Sequence, residues 1–244
     1  MGWWPVFQRE MIMLRKRVLK RGYVLASLLH PLIYLFAFGF GLGKYIDVPG
    51  GYGAFLCAGM AGVAVMTNSF QQTAVGVSVG RLYYKTFQNL MVSPIPPGQV
   101  AVGMMLAGIL RGMIASLLVY AIGTFFFGAW RLSVPGFVAL VLGASIFAAL
   151  GIIAGMLIES NEGLSIIQNF IIMPMVFFSG SFFPLENLPY GLDRVAGFLP
   201  LGMINKMLHA ESFGSEHVTY IVTLFFMTLA LWWAGRYTIK NYEE

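Results

Sequence analysis

One arginine, Arg111, lies deep inside a long apolar stretch, where a charged side chain has to be paired, hydrated or put to use. An arginine at the centre of a membrane helix costs roughly 3 kcal/mol on insertion scales unless it has such a partner. No acidic residue in another apolar stretch is an obvious partner. We therefore predict for Arg111 either a role in a translocation path or a structural ion pair, and the sequence leaves both open.

Patterns that would indicate an enzyme are scarce. The sequence has no HExxH, GxSxG or phosphate-loop motif and no cluster of cysteine and histidine, so we predict no catalytic and no metal site. Glu159, Asn161 and Glu162 would suit an enzyme that acts on lipid-linked groups, but a solvated turn is the competing interpretation. His30 lies inside an apolar stretch and leaves a proton-driven secondary carrier as a further alternative. Cys57 is predicted to be a small buried side chain.

A second set of candidates is uncharged. The second apolar stretch carries amides in its latter half, at Asn68, Gln71 and Gln72. Such side chains can line a path for cargo, although contacts between helices are their more frequent use in membranes. Both interpretations stay open for these three residues.

The elements that must position these residues are apolar helices. Hydrophobic residues make up 58% of the chain and charged residues 10%, against roughly 25% charged residues in a soluble domain. Spans of about 20 apolar residues account for nearly all of the chain. We predict six transmembrane helices at residues 23–42, 52–79, 100–127, 136–158, 164–183 and 217–235. The fold class is therefore an all-α integral membrane protein with one transmembrane domain, residues 1–244, without room for a soluble catalytic domain.

Three segments are too polar to span. Residues 1–22 carry Phe7, Met11, Leu14 and Val18 on one helical face with cations around it, which predicts an amphipathic helix in the membrane interface. An ordinary basic flank that orients the first span is the alternative. The first span is expected to be retained, because a bulky amphipathic segment precedes it and no small-residue cleavage site follows it. Residues 184–216 are broken by prolines and predict short re-entrant helices.

Residues 80–99 form the third of these segments. Its aromatic and apolar residues recur at helical spacing, and prolines follow at positions 94, 96 and 97. We predict a short amphipathic helix and a stiff turn. This helix could dock on a soluble partner or lie on the bilayer surface, and its periodicity does not decide between the two.

Lysine and arginine are unevenly distributed between the two sides that six spans define. The segments on the side of the N-terminus hold Arg9, Arg15, Lys16, Arg17, Lys20, Arg21, Arg81, Lys85, Arg236 and Lys240. The opposite segments hold Lys44, Arg131, Arg194 and Lys206. By the positive-inside rule both termini are cytoplasmic. The cations behind the net charge of +5 flank apolar spans and do not form one solvent-facing patch. Nucleic acid is therefore not a predicted partner.

Three parts of the sequence resemble a known family. They are FQNLMVSPIPPGQVAVG at residues 87–103, the Arg111-Gly112 pair, and MPMVFFSGSFFPLENLPYGLDRVAGFLPL at residues 173–201. Together with the six spans and the amphipathic N-terminus, they are similar to the ABC-2 type permeases, the transmembrane subunits of ATP-driven exporters. The resemblance covers essentially the full chain.

The resemblance implies a dimer with a second copy of the chain, in lipid, bound to two ABC ATPase subunits that carry ATP and Mg. The chain itself would bind no cofactor and would not be an enzyme. The implied residues that couple the permease to the ATPase are Tyr84, Lys85, Phe87, Gln88, Asn89, Leu90 and Met91. The predicted path or gate residues are Asn68, Gln71, Gln72, Arg111, Phe178, Gly180, Phe183 and Pro184, and among them the resemblance implies Gly180 and Pro184 at the outer gate.

One position departs from the family pattern, which commonly has an acidic residue where this chain has Gln88. An amide can still donate and accept hydrogen bonds there. The N-terminal helix is expected to supply a second contact with the ATPase. The expected location is the inner membrane of a prokaryote, and the expected cargo is amphipathic: a drug, a lipid or a lipid-linked saccharide.

Overall fold

The computed structural model describes residues 2–18, 22–128, 132–188, 191–210 and 214–242. All regular secondary structure in these residues is helical. The first helices are α1 (Trp3–Val18), α2 (Tyr23–Leu42), α3 (Tyr52–Leu82), α4 (Thr86–Met91), α5 (Pro97–Phe127) and α6 (Val134–Leu157). They are followed by α7 (Asn161–Ile167), a π-helix (Gln168–Ile172), α8 (Met173–Phe178), a 3₁₀ turn (Leu185–Asn187), α9 (Leu192–Phe198), α10 (Pro200–His209) and α11 (Ser215–Lys240).

Four helices in the described part of the chain are long and apolar enough to cross a membrane: α3, α5, α6 and α11. Two shorter apolar stretches, Ser27–Leu42 and Glu162–Phe178, coincide with the predicted first and fifth spans. The chain is therefore an all-helical membrane protein, as predicted. α3 ends at Leu82, after its predicted span, and α5 begins at Pro97, before its predicted span. In both, the helical backbone continues beyond the apolar part of the sequence.

The core is built around α3, which packs against α5 and α6. Small residues allow this close approach: a Cβ added to Gly112 of α5 would lie 1.9 Å from Ser69 Oγ, and one added to Gly151 of α6 would lie 2.6 Å from the Phe70 carbonyl oxygen. Helix association in lipid depends on such packing, because lipid tails are as apolar as the side chains. The described part of α3 is consequently mostly buried.

A second buried cluster lies where α3 and α11 end and α5 begins. We call it the Phe87 cluster. Its buried members are Val6, Val77, Phe87, Val100, Ala101, Met104, Ile152, Met156 and Ile239. The cluster brings together α1, α3, α4, α5, α6 and α11, so the short helix α4 is seated on the helical body.

The N-terminal helix α1 packs on α5. Its most buried side chain is Val6, which is next to Phe7 of the predicted apolar face. A Cβ on Gly103 of α5 would lie 2.7 Å from both the Trp3 carbonyl oxygen and Val6 Cβ. α1 is thus a packed part of the domain and is more than a charged flank. Residues 19–21 and the side chains of Arg17 and Val18 lie outside the described residues.

The predicted fifth span, 164–183, differs from the structure in two ways. The segment contains five residues of π-helix between α7 and α8, and the helix ends at Phe178 rather than at residue 183. Gly180 adopts a left-handed conformation, with φ of +74°, which a residue with a Cβ rarely adopts. The apolar side chains that follow extended the predicted span, but the backbone has already turned there. After Pro184 the chain forms short helices, as predicted, although residues 189–190 are not described.

Candidate functional site

The helix α4 leaves the body of the protein at a sharp turn. Lys85, the residue before it, has a φ of 51°, which is the one positive φ at a non-glycine residue in the described chain. Phe87 is 1% exposed in the Phe87 cluster and meets the Tyr242 ring edge to face at 5.5 Å. Gln88 Nε2 donates to the Arg81 carbonyl oxygen at 3.2 Å. Phe87 and Gln88 therefore hold α4 to its own subunit.

Other side chains in α4 and next to it are exposed. Tyr84, Lys85 and Asn89 are exposed, as are the flanking residues Tyr83 and Val92. Leu90 is partly buried against the Phe87 cluster. Met91 ends the helix, and its side chain lies outside the described residues. Six of the seven predicted coupling residues thus divide by burial: Phe87, Gln88 and Leu90 are buried or partly buried, and Tyr84, Lys85 and Asn89 are exposed.

Arg81 fixes the base of this site. Both of its terminal nitrogens donate to carbonyl oxygens at the end of α6, those of Met156 and Ile158. Its guanidinium also lies 5.8 Å from the centre of the Tyr242 ring. A cation at a helix C-terminus satisfies carbonyls that have no partner within the helix. The sequence indicated Arg81 only as one of the inner cations, and its capping role was not predicted.

Arg111 forms an ion pair, one of the two alternatives that the sequence left open. Its Nη2 lies 2.8 Å from Glu10 Oε2 and also donates to the Glu10 backbone carbonyl at 3.1 Å. The acidic partner comes from α1 rather than from another span. One signal in the sequence could have identified it, because Glu10 is the only acidic residue before Asp47.

Arg9, the neighbour of Glu10 in α1, contacts α4. Arg9 Nη2 donates to Thr86 Oγ1, at the first residue of α4, over 2.8 Å. A Cβ added to Gly80 would lie 3.4 Å from Thr86 Oγ1, so the close approach of α3 and α4 leaves little space there. Neither Arg9 nor Thr86 was among the predicted site residues.

The three amides of α3 differ in burial. Asn68 is buried and donates to the Ala64 carbonyl of its own helix at 3.0 Å and to Ser27 of α2 at 3.5 Å. Gln71 is exposed and Gln72 is partly buried. Asn68 therefore serves a contact between helices, whereas the exposed Gln71 is available to a path or a partner.

Two of the predicted gate residues, Gly180 and Pro184, line a cavity of about 660 Å³ at the opposite end of the molecule from α4. Charged and aromatic side chains share it, among them Glu186, Lys206 and Tyr220. Phe178 is exposed and Phe183 is partly buried, and neither belongs to the lining.

The non-helical chain beside this cavity is held by buried hydrogen bonds. Asn205 of α10 donates to the Ser179 carbonyl and to Ser181 Oγ, both at 2.8 Å. The Tyr52 hydroxyl donates to the Phe182 carbonyl at 3.0 Å. These bonds satisfy polar groups of the turn that would otherwise be buried without partners.

Comparison with known proteins identifies the family. The family described as ABC-2 type transporter matches residues 3–213. The chain belongs to this family. It is 29% identical to Nodulation protein J of Rhizobium leguminosarum bv. viciae over 95% of this chain and 93% of that protein. It is 30% identical to the protein of the same name from Rhizobium leguminosarum bv. trifolii, over 95% and 92% of the two chains.

A third relative of this ABC-2 permease is the inner membrane transport permease YadH of Escherichia coli strain K12. The two are 29% identical over 64% of this chain and 62% of that one. The family and the printed names of these relatives make the chain a membrane transport subunit.

The acidic group considered for an enzyme lies in the turn between α6 and α7 of the permease. Ser160 caps α7 by accepting a hydrogen bond from the Gly163 backbone over 3.1 Å, and Glu162 lies in the first helical turn. Serine at the cap and an acid in the first turn are typical of a helix start. The residues therefore have a structural explanation as a solvated turn.

Proposed function

We propose that this chain is the membrane-spanning subunit of an ATP-driven exporter, working as a dimer with two separate ABC ATPase subunits. Family membership supports a permease that depends on such an ATPase in general. The observation that carries the finer proposal is α4, which is anchored through Phe87 and exposes Asn89, together with the exposed Tyr84 and Lys85 in the turn before it. A seated helix with exposed aromatic and cationic side chains beside it is suited to dock in a groove of a soluble partner.

The lengths of α3 and α5 support a position for the membrane. Each contains 31 residues, or about 46 Å of helix, whereas the hydrocarbon core is about 30 Å thick and needs about 20 residues. Counted from the outer ends at Tyr52 and Phe127, about 20 residues reach Gln71 and Gly108. A Cβ on Gly108 would lie 2.5 Å from Thr73 Oγ1, so the two counts meet in one layer.

This layer is the proposed inner boundary of the hydrocarbon core. Arg111 then lies about one helical turn above it, within the reach of a side chain that snorkels to the interface. The remaining turns of α3 and α5 extend into the cytoplasm, where they carry α4 and the start of α1. Exposed Phe125 and Phe126 lie at the outer end of α5, where their apolar rings suit contact with lipid.

Six crossings require that the segment Glu162–Phe178 and the turn after it cross together. The helical part is about 25 Å long, which is shorter than the hydrocarbon core. Non-helical backbone is tolerated at membrane depth when protein buries it and satisfies its polar groups. Ser179 and Ser181 are fully buried, and Asn205 bonds to both residues. The turn can therefore complete the fifth span, with α9 and α10 re-entrant behind it.

The outer cavity is the proposed exit for cargo. Its lining combines apolar residues, such as Phe55 and Leu185, with charged ones, such as Glu186 and Lys206. A lining of this mixture suits an amphipathic molecule, because both of its parts find a matching surface. In this proposal, ATP-driven motion of α4 opens a path between two copies of the chain towards this cavity.

Co-purification with the ATPase subunit tests the proposal. The wild-type permease is expected to bind it and to stimulate ATP hydrolysis in proteoliposomes. The double variant Tyr84→Ala/Lys85→Glu should weaken binding by about tenfold or more, because truncating a central aromatic at an interface typically costs more than 1 kcal/mol. Tyr45→Ala is the matched control, since Tyr45 is equally exposed but follows α2 at the opposite end of the molecule.

The proposal fails if the wild-type permease neither binds the ATPase nor stimulates ATP hydrolysis. It also fails at α4 if Tyr84→Ala/Lys85→Glu binds as tightly as Tyr45→Ala. Thermal unfolding of the three proteins should be alike, because all three replaced side chains are exposed.

A further inference from the structure

α1 runs alongside α5 in the same direction. The Gly2 backbone nitrogen donates to Gln99 Oε1 at 2.5 Å, Val6 packs at Gly103, and Glu10 pairs with Arg111. From Gly2 to Glu10 the helix advances about 12 Å, and from Gln99 to Arg111 it advances about 18 Å. α1 therefore climbs along α5 instead of lying flat in the headgroup layer.

Two consecutive residues of α1 contact two different elements. Arg9 bonds to Thr86 at the start of α4, and Glu10 bonds to Arg111 in the middle of α5. The covalent links of α4 reach only the near ends of α3 and α5. The contact through α1 meets α5 much farther along, where the proposed inner boundary of the membrane lies.

The Glu10–Arg111 pair is shielded from water. The Arg111 side chain is 7% exposed and that of Glu10 is 12% exposed. A void of about 10 Å³ beside the pair has room for about one water molecule. Arg111 Nε and Thr73 Oγ1 face this region, and neither has a hydrogen-bond partner among the described residues.

Removing one member of such a pair has a large effect, because the remaining charge stays buried without a partner. The exposed cations of α1, such as Arg15 and Lys16, have no comparable environment. The pair is thus a stiff link between α1 and α5, whereas a solvent-exposed ion pair would be weak.

We propose that α1 transmits the movement of α4 to α5, with Arg9 and Thr86 as the link to α4 and Glu10 and Arg111 as the link to α5. The four are positioning residues of the transport cycle. When the ATPases move α4, Arg9 draws α1 with it, and Glu10 moves α5 at the inner edge of the membrane. This inference rests on the proposed function, since it needs an ATPase that moves α4.

The test follows each end of this link separately and needs no knowledge of the cargo. Binding and hydrolysis of ATP by the bound ATPase report on α4. A spin label on Leu118 of α5, in a Cys57→Ala background, reports on α5 through the distance between the two copies in the permease–ATPase complex. Leu118 is 40% exposed and lies about two turns beyond Arg111. Orthovanadate with ATP and Mg arrests the ATPase, and the label distance is compared with and without it.

In the wild-type background, ATP and vanadate are expected to shift the Leu118 distance. Glu10→Gln should keep ATPase binding and ATP hydrolysis but lose the shift. The charge-reversed pair Glu10→Arg/Arg111→Glu should regain it, because the link is restored with opposite polarity. Arg15→Gln, an exposed position on the same helix, should behave as wild type.

Three outcomes overturn the inference. The first is a Glu10→Gln variant that keeps the full shift, and the second is one that loses ATPase binding together with the shift, which would assign Glu10 to docking. The third is a folded charge-reversed pair without the shift, and this pair decides the question if Glu10→Gln does not fold. If the wild-type complex shows neither ATPase binding nor a shift, the proposed function has failed instead.

Discussion

His209 stacks face to face on Phe55, with ring centroids 4.0 Å apart, and its Nε2 lies 3.0 Å from the Phe55 carbonyl oxygen. This stack separates the cavity at Gly180 from a second cavity of about 710 Å³ beside Tyr120. Burial lowers the pKa of His209 to about 4, although its bond to Phe55 and the nearby Glu186 carboxylate both act to raise the pKa. The other charged or titratable groups around the first cavity are Glu186, Lys206, Glu216, His217 and Tyr220.

We predict that stability falls as the pH drops below about 6.5. Between this pH and the pKa of about 4 in the folded protein, the unfolded chain binds more protons at His209, so acidification favours unfolding. From pH 7 to pH 5 the titration of His209 lowers the free energy of unfolding by about 2 kcal/mol. Thermal unfolding of the purified permease in detergent at the two pH values measures it.

The slope of stability against pH identifies the residue. His209→Gln should flatten it, because glutamine can donate to the Phe55 carbonyl and does not titrate. His217→Gln, at the same cavity, should retain the slope. An unchanged slope in His209→Gln would assign the pH dependence to another group.

Among the elements, α1 shows what a periodic pattern alone can miss. The apolar spacing at Phe7, Met11 and Leu14 predicted a helix with one apolar face, and the structure contains the helix. The partner of that helix is α5 rather than the lipid surface alone, because Gly103 lets the backbone of α1 approach. A glycine in a membrane span is too common for this to be read from the sequence.

Gly103→Leu is predicted to displace α1. The new side chain would collide with Val6 and the Trp3 backbone, and overpacking of this kind costs about 1–3 kcal/mol. Hydrogen exchange of the α1 amides, followed by mass spectrometry, should accelerate by about tenfold or more. Gly41→Leu in α2 is the control, since no atom beyond its own helix lies within 4 Å of a Cβ there. Equal exchange in the two variants would show that α1 does not depend on α5.

The long apolar helices were largely predictable. Runs of apolar residues are a strong signal in a membrane protein, and α2 begins and ends at the predicted residues. The predicted boundaries are wrong where the apolar sequence and the helix end at different residues. α3 and α5 continue as helices into polar sequence, whereas the fifth span stays apolar after its helix has ended at Phe178.

The site was less predictable than the spans, because its contacts join residues far apart in the chain. Glu10 and Arg111 meet only after α1 has docked on α5, and no pattern along the sequence marks that docking. Which side chains at α4 are buried and which are exposed was hard to predict for the same reason. Its periodicity indicated an apolar face, but Phe87 packs into its own subunit, and the side chains left for a partner are Asn89 of the helix and Tyr84 and Lys85 in the turn before it.

For the whole molecule, the side of the membrane on which each connection lies can be measured. In a Cys57→Ala background, a membrane-impermeant maleimide added to spheroplasts should label Tyr45→Cys and Arg194→Cys, because six spans with an inner N-terminus place both outside. Lys85→Cys and Glu162→Cys should react only after the membrane is permeabilised. All four positions are exposed in the structure, so a lack of labelling reports the side and not burial.

The decisive comparison is Glu162 with Arg194, since the π-helix and the buried turn at Gly180 lie between them. If both label from the same side, this short segment does not cross, and the six-span arrangement is wrong.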